Sequence, residues 1–315
     1  MPELPEVETI KRGLEKKIVG LKIKDIQVLN PKTFQADYKQ VIGKKVVKVW
    51  RRAKILGIDL TKRAGDSEEG SRRTPATTER SEEVRRDTEE AGPAVALLFH
   101  LKMSGQLVFV DQGKRFVGGH PTPDMKLEMP NKSTRVIFEF SDGGVLYFND
   151  QRKFGWVKIV DRQQALGDSL LKNLGPEPLE KDFSWEVLKE RVGKHKNWAI
   201  KVAIMDQQSI AGVGNIYASE ACFNAKLDPR RKVSSLSDKE WQSLHKGLIK
   251  ALEDGIKHGG SSRVHFVNTD GEPGFFLDYA NVYRRDGQKC KVCGTTIEKT
   301  QLAGRGTFFC PKCQK

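Results

Sequence analysis

The sequence has no long hydrophobic run and few cysteines. None of its apolar stretches approaches the ~20 residues that a membrane-spanning helix needs. Its first six residues, MPELPE, are acidic and interrupted by two prolines, unlike a secretory signal peptide. Five cysteines among 315 residues are too few for a disulfide scaffold. We therefore expect a protein of the reducing cytosol that has no membrane partner.

Acidic residues are also too few to balance the basic ones, and the formal net charge is +14. Such an excess favours a polyanionic partner, above all nucleic acid, although solubility alone is a simpler explanation. Apolar residues make up 37% of the chain, which is enough for a core. A length of 315 residues predicts about two domains.

Residues 62–94 form the clearest break in the chain. This segment contains a single large apolar residue, Val84, and has seven basic residues against nine acidic ones. It cannot bury enough apolar surface to offset the entropy that is lost on ordering. We expect a disordered insertion in a loop, with a partner-binding segment as the alternative.

The two halves of the chain differ in pattern. Short runs rich in β-branched and aromatic residues dominate the first half and predict a sandwich or a barrel. The same half has one clear helix, 6–19, in which Val7, Ile10, Leu14 and Ile18 recur at helical spacing. The second half is predicted to be helical over residues 184–192, 198–206, 215–222 and 237–258.

Four cysteines in the last 26 residues have the spacing of a zinc site: Cys290 and Cys293, then Cys310 and Cys313. Two such pairs present four thiolates to one tetrahedral ion and leave no open coordination position, so we predict one structural Zn²⁺. The surrounding segment 283–315 has eight basic and two acidic residues, and it therefore also favours phosphate binding.

The N-terminus offers an unusual nucleophile. Removal of Met1 would leave Pro2 with a free secondary amine, and an α-amino pKa of ~7.7–8.0 keeps a useful fraction uncharged at neutral pH. Such an amine attacks an aldehyde-level carbon to give an iminium ion, an electron sink that promotes elimination. Glu3 is placed to move protons and Glu6 to orient the amine. The alternative is a proline-capped helix start with acidic residues in its first turn.

Six motifs occur together in one order along the chain. They are Pro2-Glu3-Leu4-Pro5-Glu6-Val7-Glu8-Thr9, Arg51-Arg52-Ala53-Lys54, His100-Leu101-Lys102-Met103-Ser104-Gly105, Asp150-Gln151-Arg152-Lys153-Phe154-Gly155, Gly212-Val213-Gly214-Asn215-Ile216-Tyr217-Ala218-Ser219-Glu220 and the cysteine pairs. In this order they resemble the formamidopyrimidine-DNA glycosylase family, over nearly the whole chain outside residues 62–94.

The resemblance implies an α+β multidomain fold. Its parts are an N-terminal β-sandwich with flanking helices, a helical helix-two-turn-helix domain and a C-terminal four-cysteine zinc-finger hairpin. We place the catalytic sandwich domain at 1–160 and the helix-two-turn-helix domain at 161–262. A lesion-capping loop and the finger then occupy 263–315.

The same resemblance implies a bifunctional enzyme of base excision repair, a DNA glycosylase that is also an abasic-site lyase. It assigns the Schiff-base nucleophile to Pro2 and proton transfer to Glu3. Lys54 matches a catalytic lysine near the lesion phosphate. Arg305 matches a finger arginine that contacts this phosphate and is linked to δ-elimination. With Glu6, these are the predicted catalytic residues.

The resemblance also implies that the damaged base is extruded from the duplex, with Met103, Arg152 and Phe154 filling the gap. Lys201 and Asn215 match phosphate contacts. Each has a simpler alternative, because a methionine or phenylalanine is more often a core residue. Lys201 alone would be a helix-surface lysine, and Asn215 alone a plain N-cap.

The expected partner is double-stranded DNA that contains oxidised bases or abasic sites. Leu4 and the loop 259–279 favour oxidised purines, 8-oxoguanine and formamidopyrimidines, over the oxidised pyrimidines of the endonuclease VIII branch. A non-catalytic zinc-finger DNA-binding protein would explain the charge and the finger equally well. We expect a monomer in the bacterial cytoplasm, associated with the nucleoid through DNA.

Overall fold

The computed structural model describes residues 2–61, 95–119, 127–162, 169–261 and 276–315. The insertion predicted at 62–94 and most of the predicted lesion-capping loop lie outside these residues. Within the described ranges, no helix is long and apolar enough to cross a bilayer.

The first half of the chain is a sandwich of two antiparallel sheets, as predicted. One sheet has the strand order β1-β7-β8-β5-β6 and the other β2-β3-β4-β9. The elements are α1 (Leu4–Ile18), β1 (Ile23–Val28), β2 (Val46–Arg52), β3 (Ile55–Leu60), β4 (Val95–His100), β5 (Gly105–Asp111), β6 (Lys114–Gly119), β7 (Thr134–Phe140), β8 (Val145–Asp150) and β9 (Trp156–Asp161), with a 3-10 turn at Tyr38–Val41.

Helix α1 belongs to both halves of the molecule. Its predicted apolar face, with Val7, Ile10 and Leu14 among its members, is buried in the core between the two sheets. The helix begins at Leu4, two residues earlier than predicted, because proline is accommodated in a first helical turn. Leu4 itself packs in the core of the helical half, so α1 joins the two cores.

The second half is helical, with α2 (Ser169–Lys172), α3 (Trp185–Val192), α4 (Ile200–Ala203), α5 (Asn215–Asn224), α6 (Asp238–Lys257), α7 (Phe276–Tyr279) and a 3-10 turn at Val233–Ser235. The predicted helix 198–206 is wrong at both ends, since α4 has only four residues. Its start is fixed by tertiary pairing: Ala199 forms a β-bridge with Lys232, and Ile200 donates its N–H to the carbonyl of Arg231.

The C-terminal hairpin packs on α5. Its strands are β10 (Glu298–Leu302) and β11 (Arg305–Phe309), joined by a two-residue turn. Phe308 and Ile297 pack with Phe223 of α5 in a small separate core. This core fixes the finger against the C-terminal end of α5.

Candidate functional site

Glu3 lies where the N-terminal segment meets the helical half, and its side chain is buried. Its Oε1 accepts the backbone N–H of Ile216 at 2.9 Å, and its Oε2 that of Tyr217 at 3.3 Å. Because α5 begins at Asn215, the carboxylate occupies the positive end of that helix. Gly214 permits this approach, since a Cβ there would lie 2.3 Å from Cδ of Glu3.

Glu6 holds the N-terminal segment in place. Its Oε2 accepts the N–H of Glu3 at 2.8 Å, and its Oε1 accepts the Tyr217 hydroxyl at 2.7 Å and the Ser261 N–H at 2.8 Å. Burial raises the pKa of Tyr217 far above its ordinary value, which keeps the hydroxyl protonated as a donor. Pro2 precedes Glu3 directly and is buried. These contacts support an orienting role for Glu6.

Lys54 lies in the turn between β2 and β3 and is buried, unlike a solvated strand lysine. Its Nζ donates to the carbonyl of Val213 at 2.8 Å, in the loop that leads into α5. The turn is unusual, since Ala53 has φ 53°. Glu177, which lies between α2 and α3, holds this turn in place. Its carboxylate accepts the Ala53 N–H at 2.5 Å and Nη1 of Arg51 at 2.6 Å.

Burial brings the proton affinities of Glu3 and Lys54 closer together. Desolvation raises the pKa of Glu3, although the charge of Lys54 opposes this. Desolvation also lowers the pKa of Lys54, against the attraction of Glu3 and Glu6 and with the help of Arg305. A carboxyl group and an amine whose pKa values converge are able to hold and pass a proton within one site.

Lys201 and Asn215 meet the finger hairpin. Nζ of Lys201 donates to Oδ1 of Asn215 at 2.6 Å, to Oγ1 of Thr307 at 2.8 Å and to the carbonyl of Gly306 at 3.1 Å. Lys201 is thus buried, and desolvation lowers its pKa to about 8. Asn215 is the first residue of α5 and not its N-cap. Arg305 is exposed at the start of β11.

Met103, Arg152 and Phe154 lie on two neighbouring loops at one end of the sandwich. Met103 is half-buried in the turn between β4 and β5. Phe154 is 57% exposed in the loop between β8 and β9, and the Arg152 guanidinium lies 5.1 Å from the centre of its ring. A phenylalanine this exposed is not a core residue, which leaves it available to a partner.

The four finger cysteines converge on one point. Their Sγ atoms all lie within 4.8 Å of one another, with 3.9 Å between Cys290 and Cys313 and 3.4 Å between Cys293 and Cys310. A tetrahedral ion with Zn–S bonds of ~2.3 Å requires S···S distances of about 3.8 Å. The four thiolates therefore fit one closed, structural zinc site.

Sequence reasoning missed two buried carboxylates that hold the site together. Glu177 accepts a hydrogen bond from the turn that carries Lys54. Glu220 of α5 accepts the N–H groups of three residues just before the finger, Asn281, Val282 and Tyr283. Glu220 ends the motif that begins at Gly212, but the motif gives it no role, and Glu177 lies in none of the six motifs. Their partners are about 60 or more residues away in the chain, and no local pattern pairs them.

Three family models match successive parts of the chain. The formamidopyrimidine-DNA glycosylase N-terminal domain matches residues 1–157, and the H2TH domain of the same family matches 174–266. A zinc finger found in FPG and IleRS matches 287–315.

Whole proteins with the same organisation are similar over the full chain. The formamidopyrimidine-DNA glycosylase of Geobacillus kaustophilus is 37% identical, and the alignment covers 100% of both chains. That of Pelotomaculum thermopropionicum is 34% identical over 100% of this chain and 99% of its own.

Among solved structures, a Lactococcus lactis FPG mutant bound to DNA containing Fapy-dG matches with a TM-score of 0.78 and 31% identity, over 100% of both chains. A MutM complex with DNA containing carbocyclic 8-oxo-G matches with a TM-score of 0.76 and 31% identity, again over 100% of both.

Proposed function

The chain belongs to the formamidopyrimidine-DNA glycosylase family, and on that premise we propose that it excises oxidised purines from double-stranded DNA and then cleaves the strand. It is a DNA glycosylase of base excision repair. The observation that carries the proposal is the site around Glu3, where a buried carboxyl group directly follows the N-terminal proline and interacts with the charge of a buried lysine, Lys54. A purely structural protein gains nothing from burying these charges at a domain junction.

Pro2 is the proposed nucleophile once Met1 is removed. Its nitrogen attacks C1′ of the extruded nucleotide, the bond from C1′ to the base breaks, and the base leaves with that electron pair and a proton. Glu3 then protonates O4′ as the bond from C1′ to O4′ opens, and the nitrogen lone pair forms the iminium ion. The raised pKa of Glu3 suits a proton donor.

Strand cleavage follows from the iminium ion as an electron sink. Glu3, now a carboxylate, takes a proton from C2′, and the 3′ phosphate leaves with the electron pair of its bond to C3′ in β-elimination. Loss of a proton from C4′ to water then breaks the bond from C5′ to its oxygen, and the 5′ phosphate leaves with that electron pair. Lys54 lies beside Glu3 and supports charge and proton transfer in the first step. Arg305, at the exposed hairpin tip, faces the phosphate of the second. Water then hydrolyses the adduct and frees Pro2.

DNA binding is assigned to the two remaining groups of side chains. Asn215 begins α5 and its Oδ1 accepts Nζ of Lys201 at 2.6 Å, and we assign a DNA phosphate contact to these two side chains, with the positive charge of Lys201 as its source of attraction. Met103, Arg152 and Phe154 fill the space that the extruded base leaves, which offsets a few kcal/mol of lost stacking. Such a protein acts on the bacterial chromosome in the cytoplasm, and it needs only one chain per lesion.

Trapping with borohydride tests the proposal. Reduction of the iminium ion during reaction with DNA that contains 8-oxoguanine should give a covalent protein–DNA adduct at Pro2. Pro2→Gly should lower the adduct yield about tenfold or more. Pro5→Ala, which removes the neighbouring proline, should leave the yield close to that of the unchanged protein.

Three outcomes would redirect the assignment. Release of thymine glycol with no action on 8-oxoguanine opposite cytosine would favour the endonuclease VIII alternative. A similar structure, L. lactis Fpg bound to DNA with an oxidised pyrimidine, makes that comparison worthwhile. Tight DNA binding without any adduct would favour a non-catalytic zinc-finger protein. An adduct on Lys54 would remove Pro2 as the nucleophile.

A further inference from the structure

The two loops that carry the exposed side chains are parts of one construction. The turn 101–104 leaves β4 and enters β5, while the loop 151–155 leaves β8 and enters β9. In one sheet Gly105 at the start of β5 pairs with Asp150 at the end of β8, and in the other sheet His100 at the end of β4 pairs with Trp156 at the start of β9. Both loops therefore cross from one sheet to the other side by side and in register.

A buried hydrogen-bond cluster joins these loops. The Ser104 hydroxyl donates to Oδ1 of Asp150 at 2.5 Å and accepts the N–H of Arg152 at 3.0 Å. The same Oδ1 lies 3.2 Å from the Arg152 nitrogen, and Oδ2 accepts the N–H of Gly155 at 2.6 Å. Ser104 and Asp150 are 3% and 0% exposed. The two side chains thus bind two backbone N–H groups of the loop 151–155 and tie that loop to Ser104 in the turn 101–104.

The ends of both loops are closely packed. A Cβ at Gly155 would lie 3.0 Å from Oδ2 of Asp150, and one at Gly105 would lie 2.4 Å from the carbonyl of Leu101. His100, whose pKa burial lowers to about 3, accepts the Lys102 N–H through its neutral Nδ1 at 3.0 Å. Rigid loops with exposed tips are suited to entering a duplex as a unit.

We propose that Ser104 and Asp150 are positioning residues that hold Met103, Arg152 and Phe154 as one rigid wedge for base extrusion. The proposal rests on the function proposed above. The two buried residues touch neither the lesion nor Pro2. They act through the backbone of the loops, because a wedge that moves as one piece loses no further conformational entropy when it enters the stack.

This role predicts a defect that depends on the substrate. An intact damaged base must be unstacked before excision, and the wedge supports that step. A preformed abasic site has no base to unstack, so the eliminations there depend much less on the wedge. Loosening the loops should therefore slow excision of 8-oxoguanine and spare strand cleavage at an abasic site.

The test compares Ser104→Ala and Asp150→Asn with the unchanged protein in single-turnover reactions. For both variants we expect excision of 8-oxoguanine to fall about tenfold, and cleavage of abasic DNA less than about twofold. Fluorescence of a 2-aminopurine placed beside the lesion, which reports unstacking, should rise more slowly by the same factor. Ser141→Ala removes an exposed hydroxyl from the same domain and should change none of these rates.

A double-mutant cycle with Phe154→Ala completes the test. If Ser104 acts through the wedge, the losses should be less than additive, so Ser104→Ala should slow 8-oxoguanine excision by a smaller factor in the Phe154→Ala background than in the unchanged protein. Additive losses, or equal losses on both substrates, would overturn the positioning role. Asp150→Asn keeps the volume of the side chain, so a melting temperature near that of the unchanged protein excludes misfolding. Inactivity of the unchanged protein on both substrates would instead contradict the proposed function.

Discussion

Lys54 shows how a single residue acquires a chemical role from its place in the fold. The side chain is 7% exposed and donates to the carbonyl of Val213, so the ammonium group is taken out of water. Desolvation lowers its pKa, while Glu3 partly restores the charged form. Because desolvation outweighs the attraction of Glu3, Lys54 loses its proton at a lower pH than an exposed lysine does.

A pH profile should reveal this shift. If the charge of Lys54 supports strand cleavage, the cleavage rate falls on the alkaline side as Lys54 deprotonates, at a pH below the ordinary lysine value of ~10.4. Lys54→Arg should move this fall to higher pH, because a guanidinium group keeps its proton. The measurement is the single-turnover rate of abasic-site cleavage across neutral and alkaline pH.

The control for this profile is Lys48→Arg, an exposed lysine on β2, the strand that leads into the turn of Lys54. Its profile should match that of the unchanged protein. Identical alkaline limbs for the unchanged protein and Lys54→Arg would show that another group controls the fall.

At the scale of single residues, the sequence predicts which residues carry the chemistry, but it does not predict the contacts that hold them in place. Motifs point to Glu3 and Lys54 because their roles need those residue types at those positions. Glu177 has no such signal, since its carboxylate binds Arg51 and Ala53 across more than 120 residues of chain. A local pattern cannot predict a pairing that forms only after both halves have folded.

Helix α5 is the element that organises the site. Its N-terminal N–H groups bind Glu3, Asn215 contacts Lys201, and Glu220 one turn further on accepts three N–H groups of the segment before the finger. Contacts to this helix, together with the hydrogen bonds of Lys201 on α4, therefore hold the finger hairpin at the site. The sequence predicts a helix over 215–222, but α5 is buried from Ile216 to Phe223, and no polar face in the sequence marks which side binds which partner.

Loss of the zinc site should release the hairpin from this arrangement. Cys310→Ser removes one of four ligands, and the folding free energy that zinc supplies is lost with it. Lys201 then loses Thr307 and Gly306 as partners, and Arg305 loses its fixed position. We expect loss of bound zinc and duplex DNA binding weaker by about tenfold or more.

Zinc content by mass spectrometry and DNA affinity by titration check this prediction. The matched control is Cys222→Ser, which alters a buried cysteine in the helical core away from the metal site. It should keep one zinc ion per chain. Unchanged DNA affinity after complete zinc loss from Cys310→Ser would contradict a role for the finger in binding.

At the scale of the whole molecule, charge is unevenly distributed. The segment 62–94 contributes a net −2, so the remaining residues carry +16 and not +14. Those remaining residues include the two hydrophobic cores, which meet at α1. The basic side chains Lys54, Lys201 and Arg305 lie around the site where the two halves of the molecule meet. Composition predicts a polyanionic partner, but only the fold gathers these charges at one site.

Deleting residues 62–94 should therefore leave the enzyme intact. Strands β3 and β4 are antiparallel neighbours, and Leu60 pairs directly with Val95 at their ends. A short glycine-containing turn after Thr61 is enough to connect such strands. We expect an unchanged rate of 8-oxoguanine excision and a melting temperature that is equal or higher, because a shorter loop costs less entropy to close.

Calorimetry and single-turnover kinetics on the shortened and the unchanged protein test this prediction. A large fall in excision with an unchanged melting temperature would instead assign a partner-binding or catalytic role to the insertion.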